Sequence, residues 1–212
     1  SLRLAEILIE TGFPAGVLSV ATGGVQVGEA LVAHPDIAKV AFTGSTRAGQ
    51  AIMASASAGL KPVTLELGGK SPVIVCKDAD LERAVPQIAA SAFFNAGQVC
   101  YAGTRLLVHH SLYEEVVSRV AVAGAAMQMG AASDPASQLG PLISGRQRMR
   151  VEGFVDRALH AGIRRVETQT TLPEHGYFFA PTVLRDVPLD AEIMREEVFG
   201  PVLSTASFDD LD

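Results

Sequence analysis

The sequence predicts an α/β protein in which helices cover parallel strands. Short apolar segments of strand type alternate with amphipathic segments of helical type, and this alternation is typical of a parallel sheet with helices on its faces. Hydrophobic residues make up 48% of the 212 positions, which is enough for a sizeable core. Two observations, the alternation and the apolar content, therefore place the chain in the α/β class.

The first third of the chain follows this alternation. A helix at the start has apolar residues at helical spacing, and Gly12 and Pro14 are its stop signals. The predicted elements are a helix at 2–10, a strand at 17–20, a helix at about 27–33, a strand at 38–42, a helix at 46–57 and a strand at 63–67.

The remaining two thirds continue the pattern with longer helices. Asp80 is a plausible N-cap for one helix, and Ser111 with Glu114 forms the capping box of another. The predicted elements are a strand at 73–76, a helix at 81–95, a strand at 104–108, a helix from 111 to about 129 and a helix at 145–161.

Cys100 lies in a glycine-bracketed loop between the helix at 81–95 and the strand at 104–108, with Gly97 before it and Gly103 after it. A thiol attacks as the thiolate, and nearby backbone N–H groups stabilise that form. Glycines let the backbone approach a substrate closely enough to supply such groups. The loop thus favours a reactive thiol, and the alternative is a small apolar residue in the core.

Glu66 is the carboxylate of the strand at 63–67, where Leu65 and Leu67 flank it and Gly68-Gly69 follow. A glutamate between leucines is expected to be partly desolvated, which suits a general base. The alternative is a strand-edge carboxylate that faces water.

The segment Phe42-Thr43-Gly44-Ser45-Thr46 is a candidate phosphate-binding turn. Gly44 turns the chain from strand to helix, and N–H groups at a helix N-terminus favour an anion. The alternative is that Ser45 or Thr46 only caps the helix.

Composition excludes several other functions. The formal net charge is −6, with acidic and basic residues interspersed, which argues against nucleic acid and anionic membranes as partners. No apolar run approaches the ~20 residues of a membrane helix. The two cysteines, Cys76 and Cys100, suggest no disulfide framework and so predict a reducing compartment, the cytoplasm. The five histidines show no ligand spacing, which predicts no metal.

Four motifs together resemble a known family. They are Phe42-Thr43-Gly44-Ser45-Thr46, Leu65-Glu66-Leu67-Gly68-Gly69-Lys70-Ser71-Pro72, Gly97-Gln98-Val99-Cys100 and Glu196-Glu197-Val198-Phe199-Gly200-Pro201. In order and approximate spacing they resemble the aldehyde dehydrogenase superfamily, in its NAD(P)-dependent, non-acylating type.

The resemblance runs over the whole chain, although family members are more than twice as long. It implies a central fragment: the second half of a Rossmann-like cofactor domain at residues 1–67, and most of the α/β catalytic domain at residues 68–212. Cys100 and Glu66 are expected to meet at the junction. An asparagine that completes the family's oxyanion hole is expected to lie outside this sequence, so the 212 residues alone are expected not to turn over aldehyde.

The resemblance also implies the site residues and partners. Cys100 would add to the aldehyde, and Glu66 would activate the water that hydrolyses the resulting thioester. The implied cofactor-binding residues are Gly44, Ser45, Leu67, Glu197 and Phe199. Ser45 would meet the pyrophosphate, Glu197 the nicotinamide ribose and Phe199 the nicotinamide pocket. NAD is the default cofactor and NADP the alternative, the substrate is a small aldehyde near Tyr101, and a homodimer or homotetramer is the expected assembly.

Two other classes of function remain open at the level of sequence. A nitrilase-like amidase also uses cysteine, glutamate and lysine, and Lys70 is available for that role. That reading leaves the turn at Gly44-Ser45 and the pair Glu197 and Phe199 unexplained, and a cofactor requirement would separate the two enzymes. The other class is a non-catalytic, structural piece.

Overall fold

The computed structural model describes residues 1–210 and divides the chain into two compact units, Ser1–Leu67 and Gly68–Asp212. Each unit combines helices with parallel strands, so the predicted α/β class is confirmed. That the first unit belongs to a cofactor domain and the second to a catalytic domain stays a prediction.

The first unit is a small two-stranded parallel sheet with three helices. Its elements are α1 (Leu2–Glu10), α2 (Val25–Ala33), β1 (Val40–Gly44), α3 (Thr46–Ser57) and β2 (Val63–Leu67). Strands β1 and β2 run in register from the pair Val40 and Val63 to the pair Gly44 and Leu67. Because the register is continuous, the two strands end together, at Gly44 and Leu67.

The helices at 2–10 and 46–57 and the strand at 63–67 are confirmed in this unit, and β1 begins two residues later than predicted. The prediction of a strand at 17–20 is wrong. The N–H of Val17 donates to the carbonyl of Pro14 at 3.3 Å, so the segment begins in a turn. No strand in residues 1–210 pairs with it, and an apolar run without a partner strand does not form a sheet.

The second unit contains a five-stranded sheet in the order β3-β4-β7-β6-β5, parallel except for the short β5. The strands are β3 (Pro72–Val75), β4 (Arg105–His109), β5 (Arg164–Arg165), β6 (Thr182–Arg185) and β7 (Val202–Phe208). The helices are α4 (Leu81–Phe93), α5 (Tyr113–Ala125), α6 (Gly145–His160) and the short α7 (Glu192–Arg195). The main core is a continuous cluster of buried side chains from these strands and helices.

Two helix starts in this unit test the capping predictions. Asp80 caps α4 as predicted, because its carboxylate accepts from the N–H groups of Glu82 and Arg83 at 3.1 and 3.4 Å. The capping box at Ser111 is wrong, since a short 3₁₀ turn occupies His110–Leu112 and α5 begins only at Tyr113. The Ser111 hydroxyl pairs instead with the His109 ring at 2.8 Å. A competing local partner therefore displaced the cap.

Within the part of the chain that the structure describes, no helix is both long enough and apolar enough to cross a membrane.

Tyr113 ties α5 to the centre of the sheet. Its buried hydroxyl lies 2.9 Å from the Thr205 hydroxyl, which itself donates to the Leu184 carbonyl at 3.0 Å. The same tyrosine oxygen accepts from the N–H of Asp186 at 2.7 Å. One phenol thus joins a helix, the end of β6 and the middle of β7.

We expect Tyr113→Phe to lower the free energy of unfolding by about 1–3 kcal/mol, because the Asp186 N–H loses its acceptor. Urea denaturation measures the change. Tyr177→Phe is the matched control, since Tyr177 is half exposed, and it is expected to have little effect. Equal effects of the two substitutions would show that this hydrogen-bond chain contributes nothing.

Candidate active site

Cys100 is exposed in a loop between α4 and β4, as the sequence predicted. The alternative, a buried apolar cysteine, is therefore wrong for the described chain. The loop begins with three consecutive residues in the left-handed region, since Asn95, Ala96 and Gly97 have φ of 50°, 54° and 67°. Left-handed backbone is costly for residues with a Cβ, so tertiary contacts must hold this run in place.

Gln98 anchors the loop to the residues that precede α6. Its side-chain oxygen accepts from the N–H of Ile143 at 2.9 Å, just before α6. Asn95 and Gln98 also exchange side-chain to backbone bonds, at 3.2 and 3.3 Å. At the far end, the N–H of Gly103 donates to the Ser91 hydroxyl at 3.2 Å. The Cys100 loop is therefore tied to its surroundings at Gln98 and Gly103, while the cysteine itself remains accessible.

Gly97 brings the loop into backbone contact with a second segment, residues 197–201. A Cβ on Gly97 would overlap the carbonyl group of Gly200 and lie 3.0 Å from the nitrogen of Pro201. Only glycine tolerates both this approach and a φ of 67°. The Gly-Gln-Val-Cys motif is thus explained in part by its contact with the Phe-Gly-Pro motif.

Glu197 lies in that second segment, after α7, with its carboxylate against Gly68 and Gly69. A Cβ on Gly68 would overlap the carboxylate, and the N–H of Gly69 donates to it. Burial raises the pKa of Glu197, while the Gly69 N–H and the positive charges of Arg150 and Lys70 act in the opposite direction. Among residues 1–210, its Oε1 has no hydrogen-bond partner. Glu197 therefore offers a half-buried acceptor for a ligand hydroxyl.

Gly69 also connects Glu197 to the nucleophile loop. A Cβ on Gly69 would lie 3.6 Å from the carbonyl oxygen of Cys100, which is an ordinary van der Waals contact. The pair Gly68-Gly69 thus lies between the Glu197 carboxylate and the Cys100 backbone. The second unit brings these two predicted site residues into one neighbourhood.

Phe199 follows two residues after Glu197 and has a φ of 57°, in the left-handed region. The side chain is partly exposed, as a residue bordering a pocket would be. The amide nitrogen of Gln147, on α6, donates to the Phe199 carbonyl at 2.9 Å. Sequence reasoning missed Gln147 because a polar residue on a helix gives no sign of which loop it will face.

Sequence analysis named Lys70 but did not predict that it is buried. It is only 9% exposed, and within the described chain its Nζ has no hydrogen-bond partner. The pKa of Lys70 is lowered to about 8, chiefly by burial and also by the charge of Arg105, while the charge of Glu197 acts in the opposite direction. Arg105 comes close because β4 pairs with β3, where it lies opposite Pro72. Lys70 therefore belongs to a buried charged cluster with Arg105 and Glu197.

The first unit contains the other predicted site residues. Gly44 ends β1, and Ser45 caps α3, with its hydroxyl accepting from the N–H of Ala48 at 3.3 Å. This is the capping role that the sequence left open as an alternative, and the phosphate role stays a prediction. Leu67 packs on α3 at Gly49, where an added Cβ would lie 2.7 Å from the leucine Cδ2.

The environment of Glu66 differs from the one that the sequence predicted. Within the described chain its side chain is exposed, so the predicted desolvation between Leu65 and Leu67 is wrong. The reason is the alternation of a strand: the leucines turn to one face of β2, and Glu66 turns to the other with Thr64. The alternative, a carboxylate facing water, describes Glu66 in this structure.

No group of three or more histidine, cysteine or carboxylate side chains within residues 1–210 is arranged to hold a metal ion.

Comparison with known proteins gives consistent matches over the whole chain. The model of the family described as "Aldehyde dehydrogenase family" matches residues 1–212. The chain is 42% identical to "Aldehyde dehydrogenase, mitochondrial" of Leishmania tarentolae and 44% identical to "Phenylacetaldehyde dehydrogenase" of Pseudomonas fluorescens. In each case the alignment covers 100% of this chain and 43% of the relative.

Solved structures agree. The chain matches an aldehyde dehydrogenase of Mycobacterium tuberculosis complexed with NAD+ with a TM-score of 0.95 and 45% identity, over 99% of this chain and 44% of that one. An NAD+ complex of an aldehyde dehydrogenase from Bacillus cereus matches with a TM-score of 0.95 and 41% identity, over 99% and 43% of the two chains. The chain thus spans less than half the length of these relatives.

We expect Gly97→Ala to destabilise the second unit and to change the rate at which iodoacetamide alkylates Cys100, because the new Cβ forces the loop away from Gly200. Gly162→Ala is the matched control, since Gly162 has a φ of 84° but nothing within 4 Å of an added Cβ. We expect Gly97→Ala to cost about 1–3 kcal/mol more than the control.

Urea denaturation gives the stabilities, and peptide mapping separates the alkylation of Cys100 from that of Cys76. Equal losses of stability for the two alanine variants, with an unchanged alkylation rate, would contradict a constraint at Gly97.

The lowered pKa of Lys70 predicts that the free energy of unfolding increases with pH. Between the folded pKa of about 8 and the ordinary value of 10.5, the unfolded chain binds a proton that the folded chain does not. The free energy of unfolding of the wild type, relative to Lys70→Met, should therefore increase across this range by on the order of 3 kcal/mol.

Below about pH 8 the lysine is charged in both states, and the full cost of its burial is present. Urea denaturation at a series of pH values measures the difference, with Lys77→Met as the matched control because Lys77 is exposed. A wild-type minus Lys70→Met difference that is flat between pH 8 and 10.5 would refute the buried charge.

Proposed function

The chain belongs to the aldehyde dehydrogenase family, as its motifs predicted, and we propose that the intact protein oxidises an aldehyde to a carboxylic acid with NAD(P)+. The observation that carries this proposal is the arrangement around Gly68-Gly69. An exposed cysteine and a half-buried carboxylate, whose buried Oε1 has no hydrogen-bond partner among residues 1–210, lie on either side of one glycine pair. Such an arrangement suits a nucleophile next to a cofactor ribose.

Cys100 is the proposed nucleophile. Its thiolate attacks the aldehyde carbon, a carbon–sulfur bond forms, and the carbonyl electron pair moves to oxygen. The backbone N–H of Cys100 is the donor that the family resemblance assigns to this oxyanion. The rigid anchoring of the loop at Gln98 and Gly103 keeps the thiol in one place, which favours a productive approach of the substrate.

Glu197 and Phe199 are the proposed nicotinamide-side residues. The half-buried carboxylate of Glu197 suits the ribose hydroxyls, because a carboxylate can accept two of them. In the first unit, the N-terminus of α3 with Ser45 suits the pyrophosphate, Gly44 is assigned by the resemblance to the nicotinamide side, and Leu67 ends the strand paired with β1. A bound nicotinamide would supply the hydride acceptor, and loss of hydride from the substrate carbon would leave that carbon as a thioester of Cys100.

Glu66 is the proposed base for release of the acid. It accepts a proton from water, the water oxygen attacks the thioester carbon, and the carbon–sulfur bond breaks to return the Cys100 thiolate. This role rests on the family resemblance, and the exposed side chain of Glu66 is accessible to water. A base at this step favours water over coenzyme A as the acyl acceptor.

We propose the class of substrate, an aldehyde, and no particular compound. Tyr101, which follows the nucleophile and is 72% exposed, is the proposed wall of the aldehyde pocket. The relatives include proteins named as phenylacetaldehyde and betaine aldehyde dehydrogenases, so both aromatic and cationic aldehydes belong in a first panel. A homo-oligomer and a cytoplasmic location remain part of the proposal.

We expect Cys100→Ala in the intact protein to abolish NADH formation, and Glu66→Gln to keep a pre-steady-state burst of NADH while losing about 10²–10⁴-fold in turnover. The reason is that hydride transfer precedes the step that needs the base. Stopped-flow absorbance with the aldehyde panel measures both phases. Cys76→Ala is the matched control, because Cys76 is a free cysteine outside the candidate site, directly after the edge strand β3. We expect this variant to keep wild-type activity.

Turnover that survives Cys100→Ala would refute the nucleophile. Hydrolysis of an amide or nitrile without any nicotinamide requirement would instead favour the amidase alternative, and no reduction of NAD+ or NADP+ with any aldehyde would favour a structural role.

A further inference from the structure

The segment 197–199 has no regular secondary structure, yet it carries both residues proposed for the nicotinamide side. It is not held by strand or helix bonds of its own. A left-handed φ of 57° at Phe199 adds a conformational cost. Neighbouring groups must therefore supply the interactions that keep Glu197 and Phe199 in place.

Those groups come from one face of α6. The amide nitrogen of Gln147 donates to the carbonyl of Val198 at 3.2 Å and to that of Phe199 at 2.9 Å. The guanidinium of Arg150 donates to the carbonyl of Glu197 at 3.0 Å. Three consecutive carbonyls are thus bound by two side chains that are three positions apart, which places both on the same side of the helix.

The next residue packs on the same helix. A Cβ on Gly200 would lie 2.5 Å from a methyl group of Val151. Ile143, two positions before α6, donates its N–H to Gln98 in the Cys100 loop. The helix supports the segment 197–200, and the residue that leads into it contacts the loop that carries Cys100.

We propose that Gln147 and Arg150 are positioning residues, which hold the backbone of residues 197–199 so that Glu197 and Phe199 present a preformed surface to the nicotinamide half of the cofactor. They act through main-chain carbonyls, and the role rests on the proposed cofactor function of Glu197. Preorganisation of this kind favours binding because the segment loses less conformational freedom when the ligand arrives.

The test compares Gln147→Met and Arg150→Met with the wild type in the intact protein. Methionine keeps the length of the side chain and removes its hydrogen-bond donors. We expect each substitution to raise the KM and the Kd for NAD+ by about 10-fold while the KM for the aldehyde stays within about twofold. Arg150→Lys keeps a donor and should restore most of the affinity.

The matched control is Arg148→Met. Arg148 lies on the same helix but pairs with Glu152 at 2.7 Å, and we expect wild-type kinetics. A general loss of stability would not raise the KM for NAD+ while leaving that for the aldehyde unchanged, because it reduces the amount of folded enzyme and not its affinity for one substrate. Unchanged NAD+ affinity in both Gln147→Met and Arg150→Met would overturn the proposal.

Hydrogen–deuterium exchange of the peptide covering 196–201, without ligand, separates this inference from the proposed function. Faster exchange in Gln147→Met than in Arg148→Met supports the positioning role, even if the wild type binds neither NAD+ nor NADP+ and the proposed function fails. Equal exchange in those two variants overturns the positioning role whatever the wild type binds.

Discussion

The close backbone contact between Gly97 and Gly200 is the constraint on which the candidate active site depends. It requires a glycine at 97, and it stabilises a left-handed run that would otherwise be unfavourable at Asn95 and Ala96. Because Cys100, the proposed nucleophile, follows three residues later, this contact constrains where Cys100 lies. The same contact brings residues 197–201 beside the loop, so two distant stretches of sequence form one site.

The second feature of the site is a set of charges withdrawn from water. Lys70, Arg105 and Glu197 each have a buried side-chain atom without a hydrogen-bond partner among the described residues. A buried charge is expensive unless another charge compensates it, and the attraction between Lys70 and Glu197 is part of that compensation. Polar atoms left unsatisfied at a proposed ligand site are ready to bind a ligand, which is how we interpret the free oxygen of Glu197.

Glycines and glutamines contribute to the candidate site in different ways. Gly68 and Gly69 allow close approach, because a side chain at Gly68 would occupy the position of the Glu197 carboxylate. Gln98 and Gln147 provide directed hydrogen bonds, one accepting with its oxygen and the other donating with its nitrogen. Close packing and directed bonds together give loops the rigidity that helices and strands have by themselves, and covalent catalysis benefits from such rigidity.

Local sequence determined much of this protein. Periodicity was sufficient for α1, α3 and β2, whose bounds match the structure, and glycine spacing was sufficient to place Cys100 in an exposed loop. The motifs around Cys100, Glu66 and Glu197 were sufficient for the family.

Tertiary structure decided what depended on neighbours distant in sequence. The segment 17–20 is not a strand, because sheet formation needs a partner, and Glu66 faces water because strand geometry turns it away from its leucine neighbours. The burial of Lys70 and the bonds from Gln147 follow from the packing of β4 and α6. Hydrophobic pattern and local propensity report only on nearby residues, whereas charge burial and loop support depend on which distant segments the fold brings together.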